Sequence, residues 1–194
     1  MDKKELRRRY KLNRNELSAA EIKTRDALIF EALCGFDWSA IRYLHCYLPI
    51  AGMKEYDTLP FISWIWTHYP EIQIVVSRSD FNTHELTHYP LHTDTPLLEN
   101  AWGIPEPAVG DPIEVGLLDV VLVPLLVVDV AGNRVGYGKG FYDRFLADCR
   151  KGVLKMGISY FPPVNMIEGL GAWDRPIDGL FAPGGTCFFA KSSQ

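Results

Sequence analysis

Apolar and polar positions alternate along the chain in two rhythms. Near the start, Leu6 and Tyr10 share one helical face at i, i+4. Lys3, Arg7 and Lys11 form a second stripe at the same spacing, so a helix is predicted there. Ser18-Ala19-Ala20-Glu21 is a capping-box pattern that starts a second helix near Ala19. That helix carries Ile22, Leu28, Ala32 and Leu33 and stops at Gly35. A short strand is expected over 41–48, closed by Pro49, and a helix over 57–69, capped by Asp57 or Thr58 with Pro60 in its first turn. Residues 72–77 read as a buried strand and 85–91 as a weaker one, while the prolines and glycines of 103–112 predict a loop. The strongest strand signal is 119–129, split by Pro124 because proline has no place in a central ladder. A turn at Ala131-Gly132-Asn133, a glycine-rich stretch, a helix over 141–150 and a strand over 156–160 follow. Helices alternating with apolar strands predict an α/β fold: a single domain over residues 1–194, three layers, with a largely parallel sheet flanked by helices.

Composition narrows the class. The 194 residues are 47% hydrophobic and 23% charged, which excludes a disordered chain or a coiled coil. The longest apolar run, 120–128, contains a proline and is far too short to span a bilayer, so no membrane partner is expected. Cys34, Cys46, Cys149 and Cys187 lie far apart, without a C-x-x-C pair, and read as reduced thiols. With a charged start that lacks an apolar signal segment, this gives the expectation of a cytoplasmic protein. The net charge of −4 hides an asymmetry. Residues 1–14 hold Lys3, Lys4, Arg7, Arg8, Arg9, Lys11 and Arg14 against only Asp2 and Glu5, on an otherwise acidic chain. Such a segment suits an anionic partner or docks on the acidic body. The lack of a basic face elsewhere argues against nucleic acid.

The chemistry concentrates in Gly132-Asn133-Arg134-Val135-Gly136-Tyr137-Gly138-Lys139-Gly140-Phe141-Tyr142-Asp143-Arg144. Glycines let a backbone approach an anion closely, and the amides at the following helix start complete a phosphate site. Lys139 and Arg134 add fixed positive charge, and Asp143 in the first helical turn is placed to hold magnesium. A Walker A loop is excluded, since Asn133 stands where glycine is needed and Gly140 where Ser or Thr is needed. The spacing is also wrong for a dinucleotide fingerprint. His84-Glu85-Leu86-Thr87-His88 matches the zinc motif H-E-x-x-H, but Pro90 disfavours the helix that motif requires. In a strand the two imidazoles would lie about 13 Å apart, too far for one zinc. Trp102 is a candidate stacking surface, and Glu55 and Asp57 sit where a strand gives way to a helix.

On these residues the sequence resembles the 5-formyltetrahydrofolate cyclo-ligase family over nearly the whole chain. The likeness rests on Lys3-x-x-x-Arg7, Glu55-x-Asp57-Thr58, Trp102-Gly103-Ile104-Pro105-Glu106-Pro107, Asp119-x-x-x-x-Pro124, the block from Gly132 to Arg144, and Asp178. The resemblance implies an enzyme in which ATP phosphorylates the formyl oxygen of 5-formyltetrahydrofolate. N10 then attacks the activated carbon, and phosphate leaves to give 5,10-methenyltetrahydrofolate. It implies that Lys3, Arg7, Arg134, Gly136, Gly138, Lys139, Gly140, Phe141 and Tyr142 bind ATP, with Lys139 and Arg134 acting on the transferred phosphoryl group. It further implies that Ile50, Glu55, Trp102, Tyr137 and Phe141 contact folate, and that Asp143 and Asp178 hold Mg²⁺. Tyr137 replaces an arginine of some members and is assigned to the folate side. The tail after Asp178 is richer in glycine and proline than the family pattern, which leaves Asp174 as the alternative metal ligand. The expected partners are these small molecules alone, acting on a monomer. A folate-binding protein without turnover is the other reading, and it would need neither Lys139 nor Asp143.

Overall fold

Seven strands form the central sheet of the computed structural model, which describes residues 1–50 and 52–190. The chain opens with α1 (Lys3–Glu16) and α2 (Ala19–Cys34), then β1 (Tyr43–His45), α3 (Leu59–His68), β2 (Gln73–Asp80) and β3 (Glu85–Pro90). A small ribbon of β4 (Leu97–Glu99) and β5 (Pro105–Pro107) precedes β6 (Val120–Pro124). A second ribbon pairs β7 (Val127–Val128) with β8 (Arg134–Val135). Helix α4 (Phe141–Asp148), β9 (Leu154–Ile158), β10 (Gly179–Ala182) and β11 (Gly185–Phe188) complete the fold. The sheet order is β11-β10-β9-β6-β1-β2-β3. Its five inner strands are mutually parallel, and β3 and β11 close the two edges antiparallel.

A parallel sheet buries both faces, so its strands carry unbroken apolar runs whose alternate residues face opposite layers. Val120 and Leu122 of β6 pack with Ile74 and Val76 of β2 against α2 and α3. Val121 and Val123 pack with Val75 against Phe145 and Leu146 of α4. Helix α1 docks separately, through Leu6 onto Val127, Val135 and Ile167. The expected three-layer α/β architecture is therefore present. Helix α2 starts at the capping box: Ser18 Oγ accepts from Glu21 N–H, and the Glu21 carboxylate accepts from Ser18 N–H.

Several sequence expectations need correction. Ile29, not Leu28, carries the buried face of α2; Leu28 is 39% exposed. Pro124 does end β6, but the apolar residues beyond it leave the sheet for the β7–β8 ribbon. The proline-rich loop contains β5, which pairs with β4 at the edge of the fold where proline's missing N–H costs nothing. The glycine-containing strands β10 and β11 were not expected at all. In Gly179-Leu180-Phe181-Ala182, burial on both faces decides, not β propensity.

Candidate active site

The C-terminal ends of β1 and β6 open into one cavity of about 700 Å³, the usual ligand crevice of a parallel sheet. The glycine-rich loop from Gly136 to Gly140 forms one wall and leads into α4. It is anchored by the turn before it. Asp129, 1% exposed, accepts from the N–H groups of Ala131, Asn133 and Ile167. Gly132 (φ +83) passes so close to Ile177 that a Cβ would stand 2.4 Å from its carbonyl oxygen, so no other residue fits.

The basic stripe of α1 faces this wall. Lys3, Arg7 and Lys11 all line the cavity. Arg7 Nε donates to the Gly136 carbonyl at 3.0 Å, and its guanidinium lies over Gly138 (φ +95). Lys11 Nζ sits 5.5 Å above the Tyr137 ring. Lys139 is exposed at the mouth, and its ammonium makes no hydrogen bond or ion pair to the described residues. Arg134 is committed differently. Its Nη2 donates to Asp143 at 2.8 Å and its Nη1 to the Arg175 carbonyl, so it orients Asp143 from a buried position. Burial lowers the Arg134 pKa, and the Asp143 carboxylate opposes that shift.

Glu55 also lines the cavity, in contact with the glycine-rich loop. Lys54 Nζ donates to the Asn15 and Leu17 carbonyls at the end of α1, which fixes the segment before α3. Glu55 Oε2 then accepts from Ile50 N–H at 2.9 Å and Oε1 from the Tyr137 hydroxyl at 2.8 Å. Tyr137 accepts in turn from Arg14 Nη1 at 2.7 Å, and Arg14 Nη2 donates to the Leu125 carbonyl. Burial pushes the Glu55 carboxyl above its ordinary range, while the Ile50 and Tyr137 hydrogen bonds and the Arg14 charge pull the other way. Phe81 and Trp102 stack at 4.9 Å, and Phe141 meets Phe81 edge-on at 5.2 Å. Together they make an aromatic wall whose outer member, Trp102, is 62% exposed.

Of the expected site residues, all but one line this cavity. The exception is Asp178. Its carboxylate accepts from Lys155 N–H at 2.9 Å and lies 3.7 Å from Lys155 Nζ, at the start of β9. Asp174, four residues earlier, lines the cavity instead. It receives Lys3 Nζ at 2.6 Å and Gly171 N–H at 2.6 Å, and neighbouring Arg175 N–H reaches Asp143 at 3.3 Å. Burial raises the Asp174 carboxyl, but those hydrogen bonds and the Lys3 charge outweigh it and hold the group ionised. Asp178 thus does not line the cavity, and Asp174, the alternative ligand, does so together with Asp143. Asp143 and Asp174 fit a magnesium ion, since two carboxylates beside a phosphate loop leave the remaining positions to water and phosphate oxygens.

Sequence reasoning also missed Arg14, Tyr47, Ser77 and Phe81. Arg14 had a signal: it continues the Arg7 stripe at i+7. The others come from strands and loops brought together only by the fold. The H-E-x-x-H segment behaves as Pro90 required. His84 sits in a turn (φ 59), and the rest forms β3. No group of three or more metal-ligating side chains occurs among the described residues.

Known proteins place this chain in a family. Residues 1–167 match the 5-formyltetrahydrofolate cyclo-ligase family. A 5-formyltetrahydrofolate cyclo-ligase of Haemophilus influenzae is 32% identical over 128 residues, 63% of this chain and 67% of that protein. The Escherichia coli K12 enzyme of the same name is 30% identical over 133 residues, 66% and 72% of the two chains. The NMR structure of Aquifex aeolicus 5,10-methenyltetrahydrofolate synthetase superposes with a TM-score of 0.79 at 28% identity, covering 100% of this chain and 96% of that one. A Mycoplasma pneumoniae 5,10-methenyltetrahydrofolate synthetase, 22% identical, shares the fold with a TM-score of 0.75. With its family match spanning most of its length, the chain belongs to the 5-formyltetrahydrofolate cyclo-ligase family.

Proposed function

We propose that the protein converts 5-formyltetrahydrofolate to 5,10-methenyltetrahydrofolate with consumption of ATP. One observation carries this reading: the glycine-rich loop with its basic side chains and the Glu55 carboxylate with the Phe81–Trp102–Phe141 aromatic group line a single cavity. An amide oxygen is a poor leaving group. The formyl oxygen attacks the γ-phosphorus of ATP and ADP departs. N10 then bonds to the activated carbon and loses its proton, and phosphate leaves.

The chain's contribution is positioning and charge stabilisation, as in phosphoryl transfer generally. Lys3, Arg7 and the amides of Gly136, Gly138 and Gly140 hold the triphosphate, with the positive end of α4 behind them. Lys139, whose ammonium is uncommitted, meets the transferred phosphoryl group. Arg134 acts by holding Asp143, and Phe141 and Tyr142 separate the two substrates. Glu55 accepts hydrogen bonds from the pterin, between Ile50, Tyr137 and the Trp102 wall. Asp143 and Asp174 would hold a magnesium ion, which would neutralise phosphate charge there. The reading includes one catalytic domain over 1–194, acting as a cytoplasmic monomer.

The test is methenyl product formation, followed by its ultraviolet absorbance, with ATP and magnesium each omitted in turn. Turnover only when both are present supports the reading. Tight folate binding without turnover under full conditions refutes it.

A further inference from the structure

Glu106, the acid of the Trp102-to-Pro107 stretch, makes no ion pair among the described residues, yet its carboxyl group joins two parts of the fold. Strand β1 pairs with β2 only as far as Val75, and β5 lies beside the outer part of β2 instead. There Arg78 Nε donates to the Pro107 carbonyl, and Ser79 N–H donates to Glu106 Oε1 at 2.7 Å. The same oxygen accepts from Asn100 Nδ2 at 2.9 Å. Asn100 Oδ1 in turn accepts from the N–H groups of Trp102 and Ile104, at 2.9 and 3.1 Å, and so builds the turn between β4 and β5. The reverse orientation of this amide would set its NH₂ against two backbone donors and its oxygen against a carboxyl oxygen, so the direction of the link is unambiguous.

One amide and one carboxyl group thus tie the backbone of Trp102 to the backbone of Ser79. Ser79 and Phe81, two positions apart, both line the cavity, as Trp102 does. Phe81 stacks on Trp102 with the ring planes 24° from parallel. The link therefore joins the two stretches of backbone that carry the stacked rings. Trp102 is largely exposed and belongs to none of the hydrophobic clusters of the described residues, so its orientation adds little to the core. What the network produces is an ordered aromatic face at the mouth of the cavity. A ligand stacks more tightly on a ring already held in place, because no side-chain freedom is lost when it binds.

We propose that Glu106 and Asn100 are positioning residues that pre-orient Trp102 for stacking on a planar ring of the folate. This rests on the folate reading of the cavity and names the residues that prepare one of its surfaces. Glutamine at position 106 serves as well, since its amide oxygen accepts both N–H groups and no cation depends on the charge. Aspartate at position 100 does not. It keeps the acceptor for the turn, but it loses the Nδ2 donor and sets a second carboxylate beside Glu106.

The experiment is a double-mutant cycle, read by calorimetric titration of the full chain with 5-formyltetrahydrofolate, and separately with a non-hydrolysable ATP analogue. Trp102→Ala is expected to weaken folate binding about tenfold, in the range of one lost stacking contact, and to leave the nucleotide affinity unchanged. Glu106→Ala and Asn100→Asp each weaken it about fivefold, whereas Glu106→Gln matches the parent. In the Trp102→Ala background, Glu106→Ala weakens folate binding no further. A purely structural role predicts the same loss with and without Trp102. Should Glu106→Ala fail to fold, Asn100→Asp takes its place in the cycle. Unchanged folate affinity in folded Trp102→Ala or Glu106→Ala, or additive losses in the double variant, overturns the proposal. Failure of the parent protein to bind folate refutes the reading of the cavity instead.

Discussion

Replacing Arg14 by methionine keeps most of the apolar stem and removes the guanidinium that links α1 to the Tyr137 hydroxyl and the Leu125 carbonyl. Arg14 is 4% exposed. It loses two charge-assisted hydrogen bonds, to the Tyr137 hydroxyl and to the Leu125 carbonyl, worth about 1.5–3 kcal/mol each. Part of that is recovered, because Arg14 Nε is buried without a partner, a cost of about 1–3 kcal/mol that methionine relieves. The net loss is about 2–4 kcal/mol, which for a chain of this size lowers Tm by roughly 10 °C. The substitution also removes the positive charge that opposes the burial-driven rise of the Glu55 pKa. Because that pKa is raised in the folded state, the folded chain keeps a proton that the unfolded chain has released. Stability therefore falls as pH rises through the window above 4.5, and in Arg14→Met this fall extends to higher pH. Thermal melts across pH 5–8, with the KM for folate, measure both effects. A Tm and pH profile matching the parent would refute the role given to the Arg14–Tyr137–Glu55 chain.

Three further outcomes are expected. Lys139→Ala lowers turnover by roughly 10²–10³, whereas Lys3→Ala and Arg7→Ala mainly raise the KM for ATP; steady-state kinetics in which exposed Arg8→Ala or Arg9→Ala do equal damage would reduce these to general charge effects. Asp143→Asn and Asp174→Asn each raise the magnesium concentration for half-maximal rate, while Asp178→Asn, at the Lys155 end of β9, leaves it unchanged; a magnesium titration showing the reverse for Asp174 and Asp178 restores the original assignment. Acid should destabilise the fold through His88: between its ordinary 6.5 and its folded value of about 4 the unfolded chain binds a proton the folded chain excludes, so stability is full above pH 6.5 and about 3 kcal/mol is lost by pH 4; denaturant melts check this, and His88→Asn should flatten that part of the profile.

Local signals read correctly wherever the chain's own chemistry is decisive. The capping box at Ser18, the strand break at Pro124 and the glycine loop before α4 each follow from two to five neighbouring residues. The basic stripe of α1 was legible as periodicity, and its destination was legible only through the family resemblance. What failed required long-range information. The β10–β11 hairpin gains its stability from burial against β9 and α2, so its glycines mislead a local reading. The Arg14–Tyr137–Glu55 chain spans 82 and 123 residues in its two hydrogen bonds, and nothing in one sequence links such positions. The same holds for His45, Ser77 and His88, which meet only because three strands pair in that order.

The central claim is that both walls of the cavity serve one reaction, so product stoichiometry tests it most directly. ADP and 5,10-methenyltetrahydrofolate should be quantified in the same samples from 5-formyltetrahydrofolate, ATP and magnesium. The account predicts one ADP for each methenyl product throughout the time course, and neither product when folate is withheld. ADP release independent of folate, or methenyl formation without ADP, would contradict it.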